Sequence, residues 1–346
     1  MFAHEDNYFY HMQSVIFLHS EVQDPYAIYA QLSPMYRDTV NQLWAVYSYD
    51  QCKAILTHPA AQIPAVNTDG LNEYALAIIN HLARLSNSTA NREIATQLYR
   101  QMHPVSMANI LSQLLGNKRE TDWIDTVCRK LPVLTILKRF GFNEDDCRFI
   151  ADHIEPFTKL LSPVRSPDIN TICSEIYTII GRHLRTTSAP VISNLAGLLI
   201  QSYDAGRGTL TNTLLHGLQQ EKHDVIETLR FDSPIHNTRR IAVEDIDHNI
   251  KKGQLILIVL AAANRDEKRF RDAGTYNINR SNNTDLLTFG AGAHACLAKQ
   301  LTINMATEAL AFLFDTYPNI TLLQKEVEYE PLVNARLVKQ LLISLQ

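Results

Sequence analysis

The stretch FGAGAHACLA, Phe289–Ala298, sets two glycines, a histidine and a cysteine directly ahead of a long apolar run, 299–317. Gly290 and Gly292 suit the unusual dihedrals of a tight loop. Leu297, Leu301 and Met305 recur at i+4, which predicts a helix over 297–317 with one buried face. Backbone N–H groups and the positive end of that helix would favour a thiolate at Cys296. Three readings of the loop stand on its own residues. They are a thiolate metal ligand, a glycine turn with an incidental cysteine, and a cysteine nucleophile with His294 as base. The third is disfavoured, because residues two apart at a helix mouth seldom face each other.

The rest of the chain narrows the class. Its 346 residues are 46% hydrophobic, enough for a sizeable core. A net charge of −4, with scattered Lys and Arg, gives no reason to expect a nucleic-acid partner. No run is long and apolar enough for a membrane span. The opening residues, MFAHEDNYFYHMQ, are charged and aromatic, unlike a signal peptide, so a soluble cytoplasmic protein is expected. Cys52, Cys128, Cys147, Cys173 and Cys296 are far apart and form no C-x-x-C pair, which speaks against a disulfide framework or a zinc cluster.

Hydrophobic spacing predicts helices over most of 72–115 and 122–162, with a turn and an Asn143 cap in the second, and over 168–185. LWAVYSY (43–49) reads as a strand and YDQCKAILTH as a helix. RRIAVEDI and QLILIVLAA read as strands across a KKG turn, and NITLLQ with RLVKQLLISL as a closing hairpin. Residues 191–219 read as one helix, apolar nearly all round and therefore central. Yet its middle is DAGRGT. Gly206 and Gly208 each cost roughly 1 kcal/mol there relative to alanine. Something is expected to approach that backbone closely. The fold class expected is mainly α with a minor β-sheet region, in one domain over 1–346.

FGAGAHACLA resembles the cysteine-ligand loop of the cytochrome P450 family, Phe-Gly-x-Gly-x-His-x-Cys-x-Gly/Ala. Phe289, Gly290, Gly292, His294 and Cys296 match, and Ala298 replaces the commoner glycine. Other family motifs follow in order. ETLR is similar to the K-helix Glu-x-x-Arg, giving Glu227 and Arg230, which Arg280 of YNINR would join in a structural network. Arg240 matches an arginine that pairs with a haem propionate, His294 a second propionate partner, and AANRD (262–266) another family hallmark. STANREIATQLY resembles the C-helix His-x-x-x-Arg; Arg92 matches the arginine, but Ser88 stands where histidine is usual. The resemblance covers nearly the whole chain.

The same resemblance makes AGRGT the oxygen-binding stretch of the family's I helix, with Ala205, Gly206 and Thr209 matching. Small residues there would leave room for dioxygen, and the Thr209 hydroxyl would help deliver protons. Gly208 occupies the place of the usual acid. Asp204, one turn earlier, is a candidate substitute. From Thr209 to Glu227 is only 18 residues (227 − 209), too few for a J helix, and the H helix is likewise short. From Glu227 to Cys296 is 69 (296 − 227), as the family needs. The resemblance implies haem b on Cys296 and a monooxygenase fed by a ferredoxin- or flavodoxin-type partner. Its substrate would be a small molecule of secondary metabolism, free or on a carrier protein. A peroxygenase, a coupling or desaturating enzyme, and a non-catalytic haem sensor remain open, the last because of Gly208 and Ser88.

Overall fold

The structure is a computed structural model and describes residues 16–86, 88–220 and 222–346. The charged, aromatic stretch at 1–13 lies outside them. The helices are α1 (Pro25–Tyr29), α2 (Tyr49–Thr57), α3 (Glu73–His81), α4 (Thr89–Arg100), α5 (Met107–Leu115) and α6 (Leu131–Arg139). They continue with α7 (Glu144–Thr158), α8 (Ile169–Leu184), α9 (Ala189–Gln220), α10 (Val225–Phe231), α11 (Leu260–Ala263) and α12 (Lys299–Thr316). The strands are β1 (Met35–Asp38), β2 (Leu43–Val46), β3 (Ala61–Gln62), β4 (Glu120–Asp122), β5 (Thr238–Ala242), β6 (Leu255–Ile258), β7 (Thr321–Leu322) and β8 (Leu342–Ser344). Mainly helical architecture with a little sheet is what the sequence predicts.

Helix α9 is the axis of the molecule. Its 32 residues span about 48 Å at ~1.5 Å per residue. It touches α3, α4, α6, α7, α8, α10 and α12, which explains why its apolar residues run around the whole circumference. Four residues, 185–188, join α8 to α9, and another four, 221–224, separate α9 from α10. These short joints match the shortening expected around the H and J helices.

One sheet has the order β1-β2-β6-β5-β3, with β2 and β6 parallel and the other pairs antiparallel. Arg240 on β5 lies opposite Ile256 on β6. The second sheet, β4-β8-β7, contains the closing hairpin, joined by β4 from the gap between the helical stretches expected over 72–115 and 122–162. QLILIVLAA is strand only as far as Ile258 and then turns into α11. Asn143 caps α7 as predicted, accepting from Asp146 N at 2.8 Å. Among the described residues no helix is long and apolar enough to cross a membrane.

Candidate active site

The cysteine loop closes on itself. Cys296 N–H donates to Phe289 O at 2.9 Å and Ala295 N–H to Gly292 O at 3.1 Å. Gly290 and Gly292 have φ of +67° and +69°, a region that side-chain-bearing residues rarely adopt. Gly292 has a second constraint: a Cβ there would stand 2.9 Å from Leu56 O at the end of α2. The loop is thus pressed against α2. Behind it, Asn264 fixes its start. Its side-chain amide donates to Ser233 Oγ and Thr288 Oγ1 at 2.9 and 2.7 Å, and its oxygen accepts from Leu287 N at 2.6 Å. The AANRD hallmark therefore positions the chain entering Phe289.

Helix α12 begins at Lys299, two residues later than predicted. Four of the five free cysteines are buried, and only Cys296 is exposed. Burial nevertheless raises its thiol pKa, against the lowering effects of the Ala298 N–H, Arg84, Arg92 and Lys299. A metal ion there would displace the proton.

Arginines act on this loop, Arg84 and Arg92 on Cys296 and Arg240 on His294. Arg92 on α4 donates to Ala295 O at 3.0 Å, so α4 is tied to the cysteine loop. Arg240 on β5 is buried, and its pKa is lowered to about 10 by burial and then by Arg84. Its Nη1 donates to Arg239 O at 2.8 Å, but its buried Nε has no hydrogen-bond partner. The His294 pKa is lowered by burial and then by Arg240, Arg92 and Arg84. Among the described residues, the charges acting on Arg84 and Arg240 include no carboxylate. Cations gathered around an orphaned buried donor call for an anionic group. A haem fits: one thiolate for iron, and guanidinium forks for its two propionates. Among the described residues no group of three or more His, Cys, Asp or Glu could hold a metal ion alone. A metal on Cys296 therefore needs the further donors that a macrocycle brings.

The predicted structural network is assembled and buried. Glu227 and Arg230 on α10 are fully buried and bond in a two-point pair at 2.9 and 2.7 Å. Arg230 also donates to Asn264 O, Ala273 O and Thr275 O, at 3.0, 3.0 and 3.1 Å. Glu227 accepts from Asn277 N at 2.9 Å, and Arg280 Nε lies 3.6 Å from the same carboxylate. The desolvation of both ions is offset by this full set of partners.

The middle of α9 differs from expectation. What approaches Gly206 and Gly208 is protein. A Cβ at 206 would stand 2.7 Å from Pro132 Cγ of α6, and one at 208 would stand 2.6 Å from Leu337 Cδ2 and overlap Pro234. Of the small residues, Ala205 is half-buried, and Thr209 is buried and donates to Ala205 O at 2.7 Å. Asp204 does not stand in for the acid by bonding to Thr209. It accepts from Arg207 Nε at 3.1 Å, and burial raises its pKa. Arg207 in turn grips Glu330 at 2.9 and 2.7 Å. No sequence pattern announces that ion cluster, since Arg207 and Glu330 lie 123 positions apart.

Fold, cysteine loop and buried Glu-x-x-Arg pair together have the layout expected of a haem-thiolate oxidoreductase. A family model described as Cytochrome P450 matches residues 223–331. Over 385 aligned residues the chain is 24% identical to the biotin biosynthesis cytochrome P450 of Bacillus subtilis (strain 168), covering 94% of this chain and 97% of that protein. A 99-residue stretch is 38% identical to the putative cytochrome P450 140 of Mycobacterium tuberculosis (strain ATCC 25618 / H37Rv), 28% of this chain and 23% of that one. Among solved structures, P450BioI in complex with hexadec-9Z-enoic acid ligated acyl carrier protein matches with a TM-score of 0.80 at 22% identity, over 93% of this chain and 99% of that one. The bacillaene polyketide synthase cytochrome P450 PksS of Bacillus subtilis 168 matches at 0.78 and 20%, over 93% and 97%. The cytochrome P450 family model thus matches residues 223–331, and the fold of the chain as a whole is that of cytochrome P450 structures.

Proposed function

We propose that this protein is a haem b monooxygenase of secondary metabolism, acting in the cytoplasm on a small organic substrate delivered by a carrier protein. Electrons come from a separate ferredoxin or flavodoxin. The observation that carries the reading is Cys296: the one exposed cysteine of five, in a loop closed by its own backbone and ringed by arginines. Carrier delivery is supported by the likeness to a P450 solved with an acylated carrier protein and to one from a polyketide synthase.

When bound, haem supplies reductive activation of dioxygen: two electrons and two protons are consumed, one oxygen atom enters a substrate C–H bond and the other leaves as water. The residues do the rest. Cys296 would hold the iron, while Arg92, Arg240 and His294 would hold the propionates. Thr209 carries a hydroxyl on the half-buried Ala205 side of α9, where it holds and passes a proton. Gly208 offers no acid, and Pro234 and Leu337 fill its surroundings. That favours, as a second reading, a peroxide-driven enzyme with the same site.

The reduced, carbon monoxide-treated protein should show the red-shifted Soret band of thiolate ligation, and Cys296→Ser should abolish it. An unchanged band in the serine variant removes the assignment. Pyridine haemochrome spectra identify the haem type. Turnover with a ferredoxin chain, compared with turnover on peroxide alone, separates the two readings.

A further inference from the structure

Arg207 is the one long side chain between Gly206 and Thr209, and it is bonded outside its own helix. We propose that Arg207 and Glu330 are positioning residues for Thr209: their ion pair is a clasp that holds the turn of α9 carrying the hydroxyl in one setting. This rests on the reading of Thr209 given above and adds to it what keeps that hydroxyl in place.

The turn is weak by composition. Residues 205–213 read AGRGTLTNT, and glycine and threonine are poor helix formers. Thr209, Thr211 and Thr213 each turn a hydroxyl back onto the carbonyl four residues earlier. They donate to Ala205 O, Arg207 O and Thr209 O at 2.7, 2.7 and 2.8 Å. Such back-bonding slightly weakens a helix and often bends it. A turn of this kind needs fastening from outside.

Two fastenings sit side by side. The fork of Arg207 bonds both carboxylate oxygens of Glu330, at 2.9 and 2.7 Å, and Arg207 is only 4% exposed. Glu330 N–H donates in turn to Leu337 O at 2.8 Å, which joins those two residues across one bend of the chain. Leu337 is the residue seated on Gly208. Consecutive residues of α9, 207 and 208, are thus held by two residues bonded to each other, one through charge and one through packing. Thr209 comes next.

Glu330 is itself fixed. Arg129 reaches the same carboxylate at 3.3 Å and also pairs with Glu155 of α7. The other partners of Arg207 lie on α9: Asp204 at 3.1 Å and the Tyr203 ring, 5.1 Å from the guanidinium. Glu330 is therefore the partner that fixes this turn against another part of the chain. A two-point guanidinium–carboxylate pair is strong and admits one orientation, so it sets the rotation of the turn as well as its distance.

The test follows amide hydrogen exchange of the purified protein. Separately, it follows the infrared stretch of carbon monoxide bound to the reduced protein, which responds to polar groups beside it. In Glu330→Gln, exchange over 204–213 should rise roughly tenfold, the scale of one charge-assisted hydrogen bond, while α2 keeps its rate. Arg207→Lys keeps the charge and loses the fork. It should show the same local rise to a smaller degree, and it serves if the glutamine variant does not fold. The carbon monoxide band should shift or broaden in Glu330→Gln. In a Thr209→Ala background, adding Glu330→Gln should leave the band where it is. Unchanged exchange over 204–213 overturns the proposal, and so does a rise spread evenly over the chain. A band change that persists in full without the Thr209 hydroxyl also overturns it, because the pair would then fasten the 330–337 bend and nothing more. A wild type without the Soret band of thiolate ligation removes the haem reading; unchanged exchange in the variants removes the clasp alone.

Discussion

Gly208 is the seat of Leu337: a β-carbon at 208 would stand 2.6 Å from Leu337 Cδ2, with the Pro234 ring nearer still. The residue replacing the family's acid is therefore a packing residue. Gly208→Ala should destabilise the fold by about 1–3 kcal/mol through overpacking, read as a lower urea midpoint. Gly208→Glu should give little folded protein and no gain in coupling. A well-folded, better-coupled glutamate variant would show that the space at 208 is open.

Thr209 remains as the hydroxyl of this segment. Thr209→Ala should lower coupling, with more peroxide and less product per electron, whereas Thr209→Ser should keep the wild-type ratio. Coupling that survives in the alanine variant takes Thr209 out of the mechanism and supports the peroxide-driven route.

Breaking the Glu227–Arg230 pair on one side strands the other ion in a fully buried place. Glu227→Ala or Arg230→Ala should cost about 3–5 kcal/mol, a large part of a domain's stability. Expression should yield little haem-loaded protein from either. Normal yields from both would reduce the pair to a dispensable contact.

His19 and His236 set an acid limit. Their rings lie 4.3 Å apart, both are buried, and neither ring nitrogen of His19 has a hydrogen-bond partner. Burial and then Arg336 lower the His19 pKa from 6.5 to about 4, with Asp232 opposing. His236, which bonds the Tyr29 hydroxyl at 3.0 Å, is lowered well below its ordinary value by burial and then by His19, again against Asp232. The unfolded chain binds these protons more readily than the fold. Their contribution is whole above about pH 6.5 and is lost as pH falls toward about 4. For His19 that is up to about 3 kcal/mol. Denaturant midpoints across this range should drop for wild type and drop less for His19→Phe. Parallel profiles would sink the assignment.

The parts of this protein that announced themselves in sequence are those whose signal is local. The cysteine loop needs Gly290, Gly292 and Cys296 within seven positions (296 − 290 + 1). The Glu227–Arg230 pair needs one helical turn, and α9 shows its burial in its own residues. What stayed hidden depends on distant chain. The glycines of α9 predict a close approach, but Pro132, Pro234 and Leu337 are not inferable as the visitors. Arg207 looks like a surface residue until Glu330 meets it. β1 and β4, four and three residues long, are held by pairing more than by any alternation of their own.

The joint between α8 and α9 has a mechanical consequence. Arg185 turns the chain through the left-handed region at φ +51°, Thr186 N–H bonds back to Gly181 O at 3.1 Å, and a Cβ at Gly181 would lie 3.1 Å from Ile192 Cδ1. That end is a welded elbow with no slack. The other end of the α7–α8 pair is the open bend at 162–168, where Val164 is 79% exposed. Arg165 latches that bend to Asn67 O across the chain. The start of α8 is stitched to the same stretch a second time, Asn170 donating to Gly70 O and accepting from Asn72 N, both at 2.8 Å, so this corner is fastened by two neighbouring ties rather than by packing alone.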